Sequence, residues 1–307
     1  MKTKIPFSKI SGILLLDKPI GLTSNAALQR TKYLFQAKKA GHSGSLDPLA
    51  TGMLPICFGE ATKMSQFLLD SDKIYCGTAT LGIKTTTGDT EGEVISTRAI
   101  PALDAEKLTE VFQPFLGTIE QIPPMFSAIK HQGQPLYALA RRGIEVERQA
   151  RKVKIHTLKL LALTENTFDF EVHCSKGTYI RTLIEDIGEA LGCGAHVSAL
   201  RRTAVIPYQQ QKMMTLEALE QIKAEQGLAA LMSFLLPVDT CVQHLPSVKL
   251  SSSATFYMRT GQAVMVPHLL GTGFVRMFAD DGRFMGIGEM TDDGRVAPQR
   301  LVHLQSA

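Results

Sequence analysis

The spacing of apolar residues changes several times along the chain, and each change marks an element. Gly12 to Leu16 is a short apolar run that stops at Asp17-Lys18-Pro19, which predicts a buried strand leaving into a loop. Thr23 or Ser24 then caps a helix whose Ala27, Leu28, Thr31, Leu34 and Phe35 share one side. Glu60 to Leu69 predicts a second helix, with Met64, Phe67 and Leu68 inward. Between them runs Gly41-His42-Ser43-Gly44-Ser45-Leu46-Asp47-Pro48-Leu49-Ala50-Thr51-Gly52, a glycine-rich loop carrying one carboxylate, Asp47. Pro48 biases Asp47 toward an extended backbone.

Further along, Lys73 to Leu81 is β-prone and roughly alternating, and Thr85 to Gly92 reads as a polar turn. Asp104 caps a helix with Leu108, Val111, Phe112 and Phe115 at helical spacing and Gly117 just beyond its end. Residues 122–152 are irregular and basic, with Pro123, Pro124, Gly133, Pro135 and Gly143, and predict a mobile insertion of the kind that closes over a ligand. Val153 to Leu163 and Thr167 to Ser175 predict strands, Thr178 to Leu191 a helix, and Val197 to Ile206 another strand. Two short helices follow, at about 215–224 and 227–235. From 245 the pattern becomes a helix, Ser251 to Thr260, and then short strands separated by Asp280-Asp281-Gly282 and Asp292-Asp293-Gly294. The expected division is therefore 1–244 and 245–307. Strands and helices without regular βαβ alternation predict an α+β fold.

Composition narrows the class. Among 307 residues, 44 % hydrophobic and 20 % charged describe a folded chain rather than a disordered one. Five scattered cysteines without a CxxC pair argue against a structural zinc site and for a reducing, cytoplasmic compartment. Met1 to Lys9 carries no signal-peptide core, and the run Ile13 to Leu16 is too short to cross a bilayer. The net charge of +4 is modest, so the placement of Lys38, Lys39, Arg141, Arg142, Arg151, Lys152, Arg201 and Arg202 matters more than the sum. No GxxxxGK[ST], HExxH or GxSxG motif is present, and His42, His173 and His196 lack metal-ligand spacing.

The remaining constellation is Leu14-Leu15-Leu16-Asp17-Lys18-Pro19-Ile20-Gly21-Leu22-Thr23-Ser24, the Asp47 loop, Asp72-Lys73-Ile74-Tyr75, Lys176-Gly177-Thr178-Tyr179-Ile180-Arg181-Thr182-Leu183, and Leu200-Arg201-Arg202. In that order it resembles the TruB-type tRNA pseudouridine synthases of bacteria, over about residues 10–240. The resemblance implies a mixed, mainly antiparallel sheet flanked by helices, followed by a small β-rich, PUA-like RNA-binding domain. It implies isomerisation of uridine to pseudouridine at position 55 in the tRNA T-loop, without metal or organic cofactor. No protein partner is implied, and a monomer suffices.

Residue by residue, the resemblance makes Asp47 the catalytic acid and Arg181 its partner. Tyr75 and Tyr179 contact the target uracil, Leu200 walls the base pocket, and Lys18 and Pro19 support the loop. An ionised aspartate can be a nucleophile or a base; its target is base C6 or the sugar at C1′ or C2′. A tyrosine face stacks on any base for about 1–3 kcal/mol, and its hydroxyl can move a proton. His42 is assigned to the RNA, where a flat ring can fill the space left by an extruded base. Each residue also has a plainer role: an Asx turn for Asp47, a Glu185 helix pair for Arg181, half-buried core for the tyrosines. Two other functions compete. A base-removing hydrolase would need a positioned water and often a second acid, and no such acid stands in these motifs. A purely RNA-binding protein would leave the Asp, Tyr and Arg set without a purpose.

Overall fold

The computed structural model describes residues 7–267 and 271–303. The chain divides into two compact units, one of Met1–Asp47, Met53–Leu69 and Gln210–Ala307, the other of Pro48–Gly52 and Asp70–Gln209. One of the four points where the chain passes from one unit to the other is the peptide after Asp47. No helix among the described residues is long and apolar enough to cross a membrane.

The second unit is built on an antiparallel sheet. Strand Ala195–Val205 pairs with Lys73–Leu81, which pairs with Thr167–Cys174, then Arg151–Leu163, then Gly117–Gln121. Phe168, Phe170, Val172 and Cys174 alternate inward as their spacing predicts, and all are buried. The helix Ile180–Ala190 turns Ile180, Leu183, Ile184 and Ile187 inward, and Phe112 of the helix Ala105–Phe112 meets the Phe168 ring at 5.7 Å. That helix stops earlier than its pattern suggests. Pro114 and a tight 3-10 turn, Gln113–Phe115, intervene before Gly117 starts a strand.

In the first unit, Gly12–Lys18 is a buried strand running parallel to Met214–Thr215. The helix Ser24–Leu34 is capped by the Thr23 side chain, which accepts from Ala26 N. Thr51–Phe58, expected to be loop at its start, is a strand, and its far end pairs with Ala40–His42. The helix expected over 60–69 is split into a 3-10 turn, Gly59–Lys63, and a short helix, Ser65–Asp70. The Thr62 and Ser65 hydroxyls donate to carbonyls three residues back, which competes with regular α-helical bonding. At the C-terminal end the strands Ser247–Lys249, Gly273–Phe278, Phe284–Met290, Arg295–Leu301 and Val264–Met265 form a separate five-stranded sheet. Its own core includes Val248, Met258, Val275, Met277 and Val296. The sheet's end is tied back by Lys63 Nζ, which donates to Leu301 O at 2.9 Å, and by Glu60, which accepts from His303 N at 2.7 Å.

Gly52 is the tightest backbone crossing near the Asp47 loop. It has φ +97°, and a Cβ there would lie 2.2 Å from the carbonyl oxygen of Arg202. Gly177 also has positive φ but open space around it. Gly52→Ala should therefore destabilise by more than Gly177→Ala, whose cost is the backbone strain of about 1–2 kcal/mol. Urea unfolding of the two variants measures the difference; equal midpoints would contradict the close-approach account.

Candidate active site

In the first unit a chain of short contacts leads to Asp47. Lys18 is fully buried, and its Nζ donates to Pro19 O at 2.9 Å and Leu22 O at 2.6 Å. A buried ammonium needs such acceptors, and here they close the turn between strand and helix. Lys18 and Pro19 thereby fix where Thr23 and Ser24 start the helix. The buried Ser24 hydroxyl then donates to Leu46 O at 3.0 Å and accepts from Leu46 N at 2.7 Å. One side chain thus satisfies both polar groups of the residue before Asp47. The loop is also held at its base: His42 is in register with Ile56, and Ser43 N donates to Pro55 O at 3.1 Å. Gly44, at φ +72°, makes the bend. Asp47 and His42 themselves are half-buried, so the backbone is braced while the side chains retain access.

The second unit carries the tyrosines, the arginine and the leucine. Tyr75 sits on Lys73–Leu81, in register with Val172 on one neighbour and Arg202 on the other. Leu200 is opposite Gly77, which places it diagonally from Tyr75 on the same face. Tyr179 is the residue before the helix Ile180–Ala190. The side chain of the buried Gln121 clamps its backbone, Oε1 accepting from Tyr179 N at 3.0 Å and Nε2 donating to Tyr179 O at 3.3 Å.

Arg181, the second residue of that helix, is 6 % exposed. Its Nη1 donates to Thr87 O at 2.8 Å and its Nη2 to Phe126 O at 2.7 Å, and Asp89 Oδ2 lies 3.4 Å from Nη1. Asp89 is equally buried and accepts from Glu91 N at 3.0 Å and from the Thr87 hydroxyl. Asp89 and these two carbonyls help fix the guanidinium, and the Phe126 carbonyl roots the 122–152 insertion. Within that insertion the regular elements are a short hairpin, Lys130–His131 with Gln134–Pro135, the helix Leu136–Ala140 and the first residues of Arg151–Leu163.

Sequence patterns had suggested Glu185 as the plain partner of Arg181. They gave no signal for Asp89 or Gln121, whose partners lie far along the chain. Ser24 was legible only as a possible cap. Arg202, which the sequence groups with the basic residues whose placement matters, is 1 % exposed, so its charge belongs to the interior beside Tyr75. Lys73, on the same face two residues earlier, is buried too; burial, and then the nearby Arg202, push its ammonium down to about 8. Arg141, Arg142, Arg151, Lys152, Lys38 and Lys39 are exposed, and Arg201 is half-buried.

Comparison with known proteins agrees along the chain. A model of the TruB family pseudouridylate synthase N-terminal domain matches residues 32–180. A tRNA pseudouridylate synthase B C-terminal domain matches 181–243, and a pseudouridine synthase II TruB C-terminal model matches 246–302. The tRNA pseudouridine synthase B of Coxiella burnetii strain RSA 493 is 55 % identical over 95 % of this chain and 95 % of its own length. That of Nitrosococcus oceani is 55 % identical over 97 % of this chain and 96 % of its own. Among solved structures, a Cbf5-Nop10-Gar1 complex aligns with TM-score 0.70 and 29 % identity, covering 91 % of this chain and 78 % of the other. An H/ACA RNP bound to a substrate RNA containing 2'-deoxyuridine aligns with TM-score 0.72 and 26 % identity, covering 94 % and 84 %. With such relatives matched along nearly the full length of both chains, this chain belongs to the TruB family of tRNA pseudouridine synthases, isomerases that act on uridine in tRNA.

Proposed function

We propose that Asp47 is the acid that acts on the target uridine, as nucleophile or base, and that the target is position 55 in the T-loop. Arg181 is its charge partner, Tyr75 moves a proton, Tyr179 and Leu200 hold the uracil, and His42 fills the place of the extruded base. The observation that carries this reading is the bracing of the loop. Ser24 fixes both polar groups of Leu46, so the following carboxylate is held without being sealed off. A pre-positioned reacting group saves entropy at the barrier.

The reaction conserves atoms and electrons. The N1–C1′ bond breaks, the base turns, C5 bonds to C1′, the C5 proton leaves and N1 gains one. Substrate and product are isomers, so the sum needs no oxidant or reductant. Extruding a stacked base costs a few kcal/mol, which the tyrosine faces and backbone contacts can offset. Exposed Arg141, Arg142, Arg151 and Lys152, with Arg201, Lys38 and Lys39, are the residues that would contact phosphates. We assign residues 1–244 to catalysis and 245–307 to a PUA-like RNA-binding domain, in a monomeric, cytoplasmic enzyme.

In Asp47→Asn, pseudouridine formation in an unmodified tRNA transcript should fall by at least about 10³-fold, while tRNA still binds. Unchanged turnover would remove Asp47 from the chemistry. Ser24→Ala should lower kcat about 10- to 100-fold, as misplacement by an ångström does, with little change in KM. A variant with full kcat would show that the loop needs no such brace.

A further inference from the structure

Behind the Tyr75 face, three ligand-type side chains of the second unit converge. His173 is in register with Ile74, so it points to the side of the sheet opposite Tyr75 and Val172. A bulge between Ile155 and Thr157 brings His156 beside it, with ring centroids 4.6 Å apart and planes inclined by 32°. Asp72, just before Lys73–Leu81, completes the group. Its Oδ2 lies 3.0 Å from His156 Nε2 and 3.7 Å from His173 Nε2. All three ligand atoms fall within 4.8 Å of one another. Both Nε2 atoms are shielded from solvent and make no hydrogen bond. The Asp72 oxygen is near them but off the line a hydrogen bond requires.

Two buried ring nitrogens and a carboxylate facing one point, without hydrogen bonds between them, are poorly satisfied as they stand. A shared cation resolves all three. We propose that Asp72, His156 and His173 form a binding site for a divalent transition-metal ion of the zinc type. Imidazole with one carboxylate suits zinc, nickel or copper and does not suit magnesium. Donor atoms around a tetrahedral zinc stand about 3.3 Å apart, given bonds of about 2.0–2.1 Å. The 3.0 and 3.7 Å separations bracket that value. The imidazoles are partly exposed, so a small ring rotation closes the remaining gap and leaves a fourth position for water. Burial, and then the adjacent His156 ring, hold His173 below the usual histidine range. Sequence spacing gave no hint of this site, because the bulge and the strand order assemble it. A bound ion would tie the start of Lys73–Leu81 to the next two strands on one side, Thr167–Cys174 and Arg151–Leu163, and so stiffen the sheet behind Tyr75.

The test is a zinc titration of the metal-stripped full-length chain against a chromophoric chelator. One equivalent is expected in the wild type, undisturbed by excess magnesium. It should be at least about ten-fold weaker in His156→Gln and in His173→Gln, with thermal melts in chelator confirming that both variants fold. Anomalous scattering from zinc-soaked wild-type crystals, which needs no variant, should place the ion between the three side chains. Binding below one equivalent would overturn the proposal, as would an equivalent that survives the double variant or an anomalous peak elsewhere. The cluster would then be a histidine–aspartate ion pair only.

Discussion

A guanidinium cannot sit inside a protein without acceptors on every side that water has left. Arg181 meets that requirement with Asp89, Thr87 O and Phe126 O, and much of the second unit follows from it. The turn over 85–92 must bend so that Asp89 and the Thr87 carbonyl face inward. The segment after Gly117–Gln121 must return so that Phe126 reaches the same group. Gln121, at the end of that strand, then clamps Tyr179 at the head of the Arg181 helix. Breaking such a buried pair by removing one partner costs about 3–5 kcal/mol, which is why the arrangement is rigid. The same contacts give the guanidinium one orientation, and that is what a charge partner in catalysis needs.

The Asp47 loop solves the complementary problem. Under the proposed role its acid has to react; Asp47 is half-buried, and the fixing is done by backbone. Lys18 closes the turn before the helix, the helix presents Ser24, and Ser24 holds Leu46. Family membership gives the reaction, isomerisation of uridine in tRNA, that the pair of devices is proposed to serve. That reaction breaks and remakes one bond at the same sugar carbon, so a base and sugar held in register matter more than a strong acid.

Much of the fold was legible because local pattern and tertiary structure agree. Lys73–Leu81 has the bounds its alternation predicts, and Asp104 and Thr23 cap the helices they were expected to cap. Thr51–Phe58 was not legible, since Gly52 and Pro55 within a continuous apolar run look like loop. Gly52 is there for the close crossing with Arg202, a fact of tertiary structure. The motif residues of the site were readable as a set, but their supports were not. Asp89, Gln121 and the Ser24 brace act on partners distant in sequence, and so do the three side chains behind Tyr75. Arg202 reads as surface charge among its neighbours and is interior because its strand position faces Tyr75.

The central claim is that Arg181 acts through a fixed fork rather than through charge alone. Release of tritium from C5-labelled uridine in tRNA tests it most directly, comparing wild type with Arg181→Lys. The lysine keeps the charge and loses the planar two-point geometry. The account predicts release slowed by at least about 10²-fold with tRNA binding retained and the cooperative unfolding transition still present. Release at the wild-type rate would contradict it.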